Sequence, residues 1–87
     1  MTYEIMQITE REAMELLRSG ERTGRYTPLG LFWHMSEGQD YDGLYQTVYV
    51  GIDNSDGQAF TEDFDDVADC LAWLRGEYKQ DEKGEKV

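Results

Sequence analysis

The chain has 87 residues, 19 acidic against 8 basic, and a formal charge of −11, which makes it one small domain near the lower limit of what folds alone. That charge argues against a phosphate backbone or an anionic membrane surface as a direct partner, because each needs Lys and Arg to neutralise it. A single cysteine cannot form an internal disulfide, no apolar run approaches the ~20 residues of a membrane span, and residues 1–10 lack the basic region and apolar run of a secretory leader, so a soluble, reducing, cytoplasmic setting is expected.

Residues 3–8 have enough apolar character to add an edge strand. Thr9-Glu10-Arg11-Glu12 is a capping box, a hydroxyl at the cap and a carboxylate three residues on. Ile8 precedes it and can staple onto Ala13. Ala13, Leu16 and Leu17 repeat at helical spacing with Met14 flanking, and Gly20 suits the left-handed residue that closes a helix. The spacing predicts a first helix over 10–19. Residues 21–27 form a polar loop, and Pro28 ends any helical continuation.

Residues 29–35, Leu-Gly-Leu-Phe-Trp-His-Met, are apolar and aromatic and read as a strand buried on at least one face. Residues 36–43 read as a loop carrying Glu37, Asp40 and Asp42. Residues 44–53 give the strongest strand pattern: Leu44, Val48, Val50 and Ile52 on one face, Tyr45, Thr47 and Tyr49 on the other. Asp53-Asn54-Ser55-Asp56-Gly57 is a turn cluster. A three-residue loop 55–57 closing on the pair Asn54 and Gln58 sets Phe60 opposite Ile52, on the core face, in a third strand over 58–62.

Phe64, Val67, Ala68, Leu71 and Leu74 trace a second helical stripe, with Asp63 or Asp65 as its cap and Gly76 near its end. Past residue 76 the sequence is charged and poor in apolar residues. The predicted architecture is α+β: a three-stranded antiparallel meander with one helix before and one after, α-β-β-β-α, in a single domain over 1–76 with a disordered tail over 77–87. If both helices lie on one face, Tyr45 and Tyr49 stand on the open face; if they sandwich the sheet, these aromatics are core.

Candidate chemistry is sparse. The acids of 53–63 fail as an EF-hand, since setting Gly57 at loop position six leaves Ile52 where the first carboxylate ligand belongs. His34 is the only histidine, a poor start for a metal site or triad, and reads as packed or edge-exposed. Cys70 lies beside Asp69, whose charge raises a thiol pKa and opposes nucleophile activation. There is no Gly-rich phosphate loop. No catalytic residue, metal ligand or cofactor is expected, and the chain reads as a non-enzyme.

The charge pattern says more. Between residues 26 and 74 there are ten carboxylates and no Lys or Arg; all eight basic residues lie outside. Ordinary surfaces intersperse both signs. At helical spacing Glu62, Asp66 and Asp69 fall on one side, with Asp65 beside Asp69, and such neighbours stand about 5–6 Å apart at Cβ, close to the phosphate spacing of a nucleic-acid strand. The expected partner-binding surface is therefore acidic, comprising Glu37, Asp40, Asp42, Glu62, Asp65, Asp66 and Asp69, with a basic protein surface as its partner. In size, acidity and layout the chain resembles, in type only, the small acidic proteins of phages and mobile elements, some of which block restriction or CRISPR effectors; the likeness carries no motif and assigns no site residue. No motif fixes a function; the expected one is a small acidic non-enzymatic protein-interaction module, in its concrete version a nucleic-acid mimic that inhibits a nuclease or other DNA-binding protein. The alternative is a small accessory domain that forms a homodimer through an aromatic sheet face built on Tyr45 and Tyr49.

Overall fold

The computed structural model describes residues 3–39 and 42–77. Elements follow in the order β1 (Ile5–Gln7), α1 (Glu10–Ser19), β2 (Gly30–Gln39), β3 (Tyr45–Asn54), β4 (Phe60–Phe64) and α2 (Val67–Leu74). The α+β class holds, but the sheet has four strands, not three. Its order is β1-β2-β3-β4; β1 runs parallel to β2, whereas β2, β3 and β4 are antiparallel neighbours. The stretch 3–8 thus supplies a strand through a β-α-β crossover, and the sheet is mixed. Past Glu77, the tail expected over 77–87 lies outside the described residues.

α1 forms where its sequence says it should. Thr9 Oγ1 accepts from the Glu12 amide at 3.1 Å, and the Thr9 amide donates back to Glu12 Oε1 at 2.8 Å, a reciprocal cap that contributes about 1 kcal/mol. Gly20 ends the helix for a different reason than expected. Its φ is −93°, not left-handed, but a Cβ there would sit 2.5 Å from the Tyr26 ring. Glycine is needed because Tyr26 folds back over the helix end.

The helices lie on opposite faces of the sheet. Directly paired residues of antiparallel strands share a face, so Phe32, paired with Ile52, and His34, paired with Val50, look one way. On that side Ala13 and Leu16 of α1 pack with Phe32 and Ile52, joined by Ile8, Leu17, Tyr26 and Ala59. On the other side Phe64, Cys70 and Leu74 pack with Ile5, Leu31, Trp33, Tyr49 and Trp73. Gly51 lets α2 approach, since a Cβ there would lie 3.0 Å from the Trp73 ring and 3.2 Å from Cys70 Sγ. Asp66 caps this helix by accepting from the Ala68 amide at 2.7 Å, in place of the expected Asp63 or Asp65. The helix closes with the Gly76 amide on the Trp73 carbonyl and the Glu77 amide on the Ala72 carbonyl, the paired bonds of a Schellman end.

All three expected strands shift their bounds, and two of the differences have consequences. β2 does not stop at Met35 but continues through Ser36 and Glu37 to Gln39, in register with β3 as far as Tyr45. The β3–β4 register differs from the expected one by a residue: Thr61, not Phe60, pairs with Ile52, and Phe60 pairs with Asp53. Ala59, at φ 55°, is the extra residue in the turn. The shift carries Phe60 and Phe64 together from the α1 face to the α2 face. Phe64 becomes core, opposite Tyr49, and Phe60 is left 57% exposed. Phe64 therefore belongs to β4 rather than to the helical stripe.

Asn54 fixes that turn. It is fully buried; its Nδ2 donates to the carbonyls of Tyr26 and Pro28 at 3.0 and 2.7 Å, and its Oδ1 accepts from the Ala59 amide at 3.0 Å. Asp53 Oδ1 accepts from the Ser55 amide at 3.1 Å, and Asp56 Oδ1 from the Gln58 amide at 3.1 Å, so both turn acids serve the local backbone. Replacing Asn54 with Ala removes hydrogen bonds from three partly buried backbone groups, at about 1 kcal/mol each. Asn54→Ala should therefore lower the unfolding free energy by about 3 kcal/mol, enough to leave a domain of this size largely unfolded, whereas Ser55→Ala should cost under about 0.5 kcal/mol; urea titration of both variants reads the difference.

Candidate partner-binding surface

The acids expected to form one surface occupy two regions. The first is the far end of the β2–β3 hairpin. β1 pairs with β2 only as far as Trp33, and β4 pairs with β3 only from Tyr49. Beyond those points the two central strands continue as a ribbon with no strand on either side among the described residues. Glu37 is exposed on this ribbon, paired with Thr47; it belongs to a strand, not to the expected loop. Asp42 is exposed in the connecting turn. Asp40 lies outside the described residues.

The second region is the junction of β4 and α2. Glu62 and Asp63 are successive strand residues and so point to opposite faces; Glu62 pairs with Gly51 on the α2 face and is partly buried. Asp65 is exposed in the turn, Asp66 is the helix cap, and Asp69 is exposed in the first helical turn. The single helical face predicted for Glu62, Asp66 and Asp69 does not exist, because the helix starts only at Val67. Asp66 and Asp69 complement the partial positive charge of the helix N-terminus.

The two tyrosines separate in burial. They share the α2 face, but Tyr49 is partly buried with its ring centroid 6.2 Å from that of Trp33, whereas Tyr45, out on the ribbon, is 73% exposed. Met35 at 49% and Leu44 at 63% are exposed at the same end of the molecule. Glu10, Met35, Ser36, Glu37 and Thr47 line a concavity of about 430 Å³ there, and Ser36 Oγ lies 3.4 Å from Glu10 Oε2.

This concavity was not anticipated from sequence, because Ser36, Glu37 and Gly38 read as loop residues. One signal did point to it. A ten-residue β3 faces a predicted partner of only seven residues, and the unmatched length of β3 has to be met by a longer β2 or left open.

The groups with reactive potential are enclosed. His34 is 7% exposed, with Nδ1 3.2 Å from the Met35 carbonyl. Among the described residues, no group of three or more His, Cys, Asp or Glu side chains is arranged to hold a metal ion. No described helix is long and apolar enough to cross a membrane. Comparison with known proteins adds no assignment: no family model, curated protein or solved structure matches the chain.

Cys70 is fully buried under α2, and that burial pushes its thiol from the ordinary 9.0 up to about 11. Loss of hydration, rather than the neighbouring acids, is the cause. The folded pKa lies above the unfolded one, so the buried thiol favours the fold below pH 9, and this contribution is lost as the pH rises from about 9 towards about 11. At pH 8 the native thiol should react with a disulfide reagent about a hundredfold more slowly than in urea, at a rate set by opening of α2; equal rates in the two conditions would show that the helix does not cover it.

Proposed function

We propose that this protein is a non-enzymatic interaction module that binds a basic surface of another protein, in its concrete form a nuclease or other DNA-binding protein whose groove ordinarily takes nucleic acid. One observation carries the reading: from residue 26 to 74, across three of the four strands and α2, ten carboxylates stand with no Lys or Arg. Like-charge repulsion works against a small fold, and local roles account for only part of the excess. Asp53 and Asp56 hold the turn and Asp66 caps α2. Glu37, Asp63, Asp65 and Asp69 remain as exposed acids that neither hold the turn nor cap the helix among the described residues, although Asp69 complements the α2 N-terminus.

The mimic reading stands on charge rather than on a helical ladder of phosphate-like spacing, since β4 sends Glu62 and Asp63 to opposite faces. Direct nucleic-acid or membrane binding is no part of this function. A reducing cytoplasm suits the buried lone thiol. The alternative of a homodimer draws support from Met35, Leu44 and Tyr45, exposed together on the ribbon.

The reading predicts that the protein displaces DNA from a basic nuclease at low salt and loses that ability as the Debye length shrinks to about 8–10 Å near physiological salt. Neutralising Glu37, Asp65 and Asp69 together, as E37Q, D65N and D69N, should weaken displacement about tenfold, at roughly 0.5 kcal/mol for each exposed pair lost. Displacement indifferent to both salt and these changes would overturn the reading. Sedimentation at micromolar concentration addresses the alternative, and a monomer removes it.

A further inference from the structure

We propose that the outer edge of β2, from Met35 to Gln39, takes an extended basic segment of a partner protein as an added strand. The inference rests on the acidic-module reading and gives it a mode of recognition.

The edge follows from the pairing. Backbone groups alternate in direction along a strand. The Trp33 carbonyl faces β1, where it accepts from the Ile8 amide at 2.9 Å. Met35 and Glu37, two and four residues further on, therefore turn their backbone groups to the same side, and there β1 has already ended. His34 Nδ1 contacts the Met35 carbonyl, which leaves the Glu37 N–H and C=O as the centre of the stretch that no strand pairs among the described residues.

Proteins usually protect such an edge with Lys, Pro, a bulge or a covering segment. Residues 35–39 contain no Lys or Pro, and their pairing with β3 runs without interruption. What the edge does carry is Glu37, with Glu10 of α1 across the concavity of about 430 Å³.

Charge selects the occupant. A second copy docking edge to edge would bring two Glu37 carboxylates close together, which is unfavourable. A strand bearing Lys or Arg at alternate positions places its cations on one face, beside Glu37, while its backbone pairs with Glu37. Charge also selects the edge: the matching outer edge of β3 turns Tyr45 and Thr47 outward, and neither is charged. Strand addition takes affinity from main-chain hydrogen bonds and specificity from alternate side chains.

The test uses the full chain, isotopically labelled, and a short synthetic peptide of alternating Lys and Val as probe. Three further peptides serve as controls: one N-methylated at alternate residues, which keeps the charge and removes backbone donors, one methylated in the other register, and one in which Glu replaces Lys. We expect the Lys-Val peptide to shift residues 35–39 and to slow exchange of the Glu37 amide about tenfold, with the peptide lacking the required donors and the Glu peptide doing neither. Glu37→Pro removes the outward N–H and leaves the β2–β3 ladder intact, so it should abolish binding with an unchanged circular dichroism spectrum. If it unfolds the protein, the methylated peptides still decide.

Equal binding of the unmethylated and both methylated Lys peptides would overturn strand addition and leave the acidic-module reading standing. Failure of every Lys peptide at low salt would overturn both. Equal binding of the Glu peptide, or Glu37 protection without peptide in a sedimenting dimer, would overturn the basic occupant.

Discussion

Asn54 ties the loop after α1 to the turn before β4. Its amide donates to the loop after α1 at two carbonyls and accepts from the turn before β4. Tyr26 is returned to the same place by its own amide, which donates to the Gly57 carbonyl at 3.1 Å. With the loop and turn joined, the Tyr26 ring lies against Gly20 and the end of α1 is set over Phe32 and Ile52. The turn fixes the β4 register, and the register decides that Phe64 rather than Phe60 fills the second core. A buried amide with each of its polar atoms engaged specifies an arrangement in a domain too small for packing alone to select among neighbouring registers.

Local signals in the sequence located α1 to the residue, because its cap, staple and apolar repeat are all encoded within eleven positions. The face assignment of β3 was equally legible, since strict alternation leaves little choice. The β4 register was not. Glycine at 57 suggested a short tight loop, and only the side chain of Asn54, reaching residues far upstream, makes the longer turn with Ala59 at positive φ the better answer. The strand status of 36–39 was hidden for a related reason: Ser, Glu and Gly have weak strand preference, and their conformation is imposed by pairing with β3. Placement of the helices on opposite faces depended on Gly51 and on the Phe64 shift, both of which act through tertiary contact.

The acids follow the same division. Those at 53 and 56 could be assigned to the turn from spacing alone, whereas the cap, expected at Asp63 or Asp65, falls at Asp66. The proposed ladder of Glu62, Asp66 and Asp69 extended helical periodicity into residues that are a strand. What was sound was the count, and the absence of cations along the same stretch. Geometry relocates the question from a single helix face to the β2–β3 ribbon and the β4–α2 junction, where Glu37 and Asp69 are exposed on separate elements.

The neutrality of α1 and its following loop has a consequence for encounter. Residues 10–25 hold four acids and four arginines, so the excess negative charge lies almost wholly in the remainder of the domain. The protein therefore carries an electrostatic moment. In the field of a cationic body it experiences a torque that swings α1 away before any contact is made. The shortest dimension of the fold is 22 Å, more than twice the ~8 Å screening distance at physiological ionic strength. At close range an approaching partner feels only the side turned towards it, and a protein already rotated into alignment loses fewer encounters than one of the same charge spread evenly.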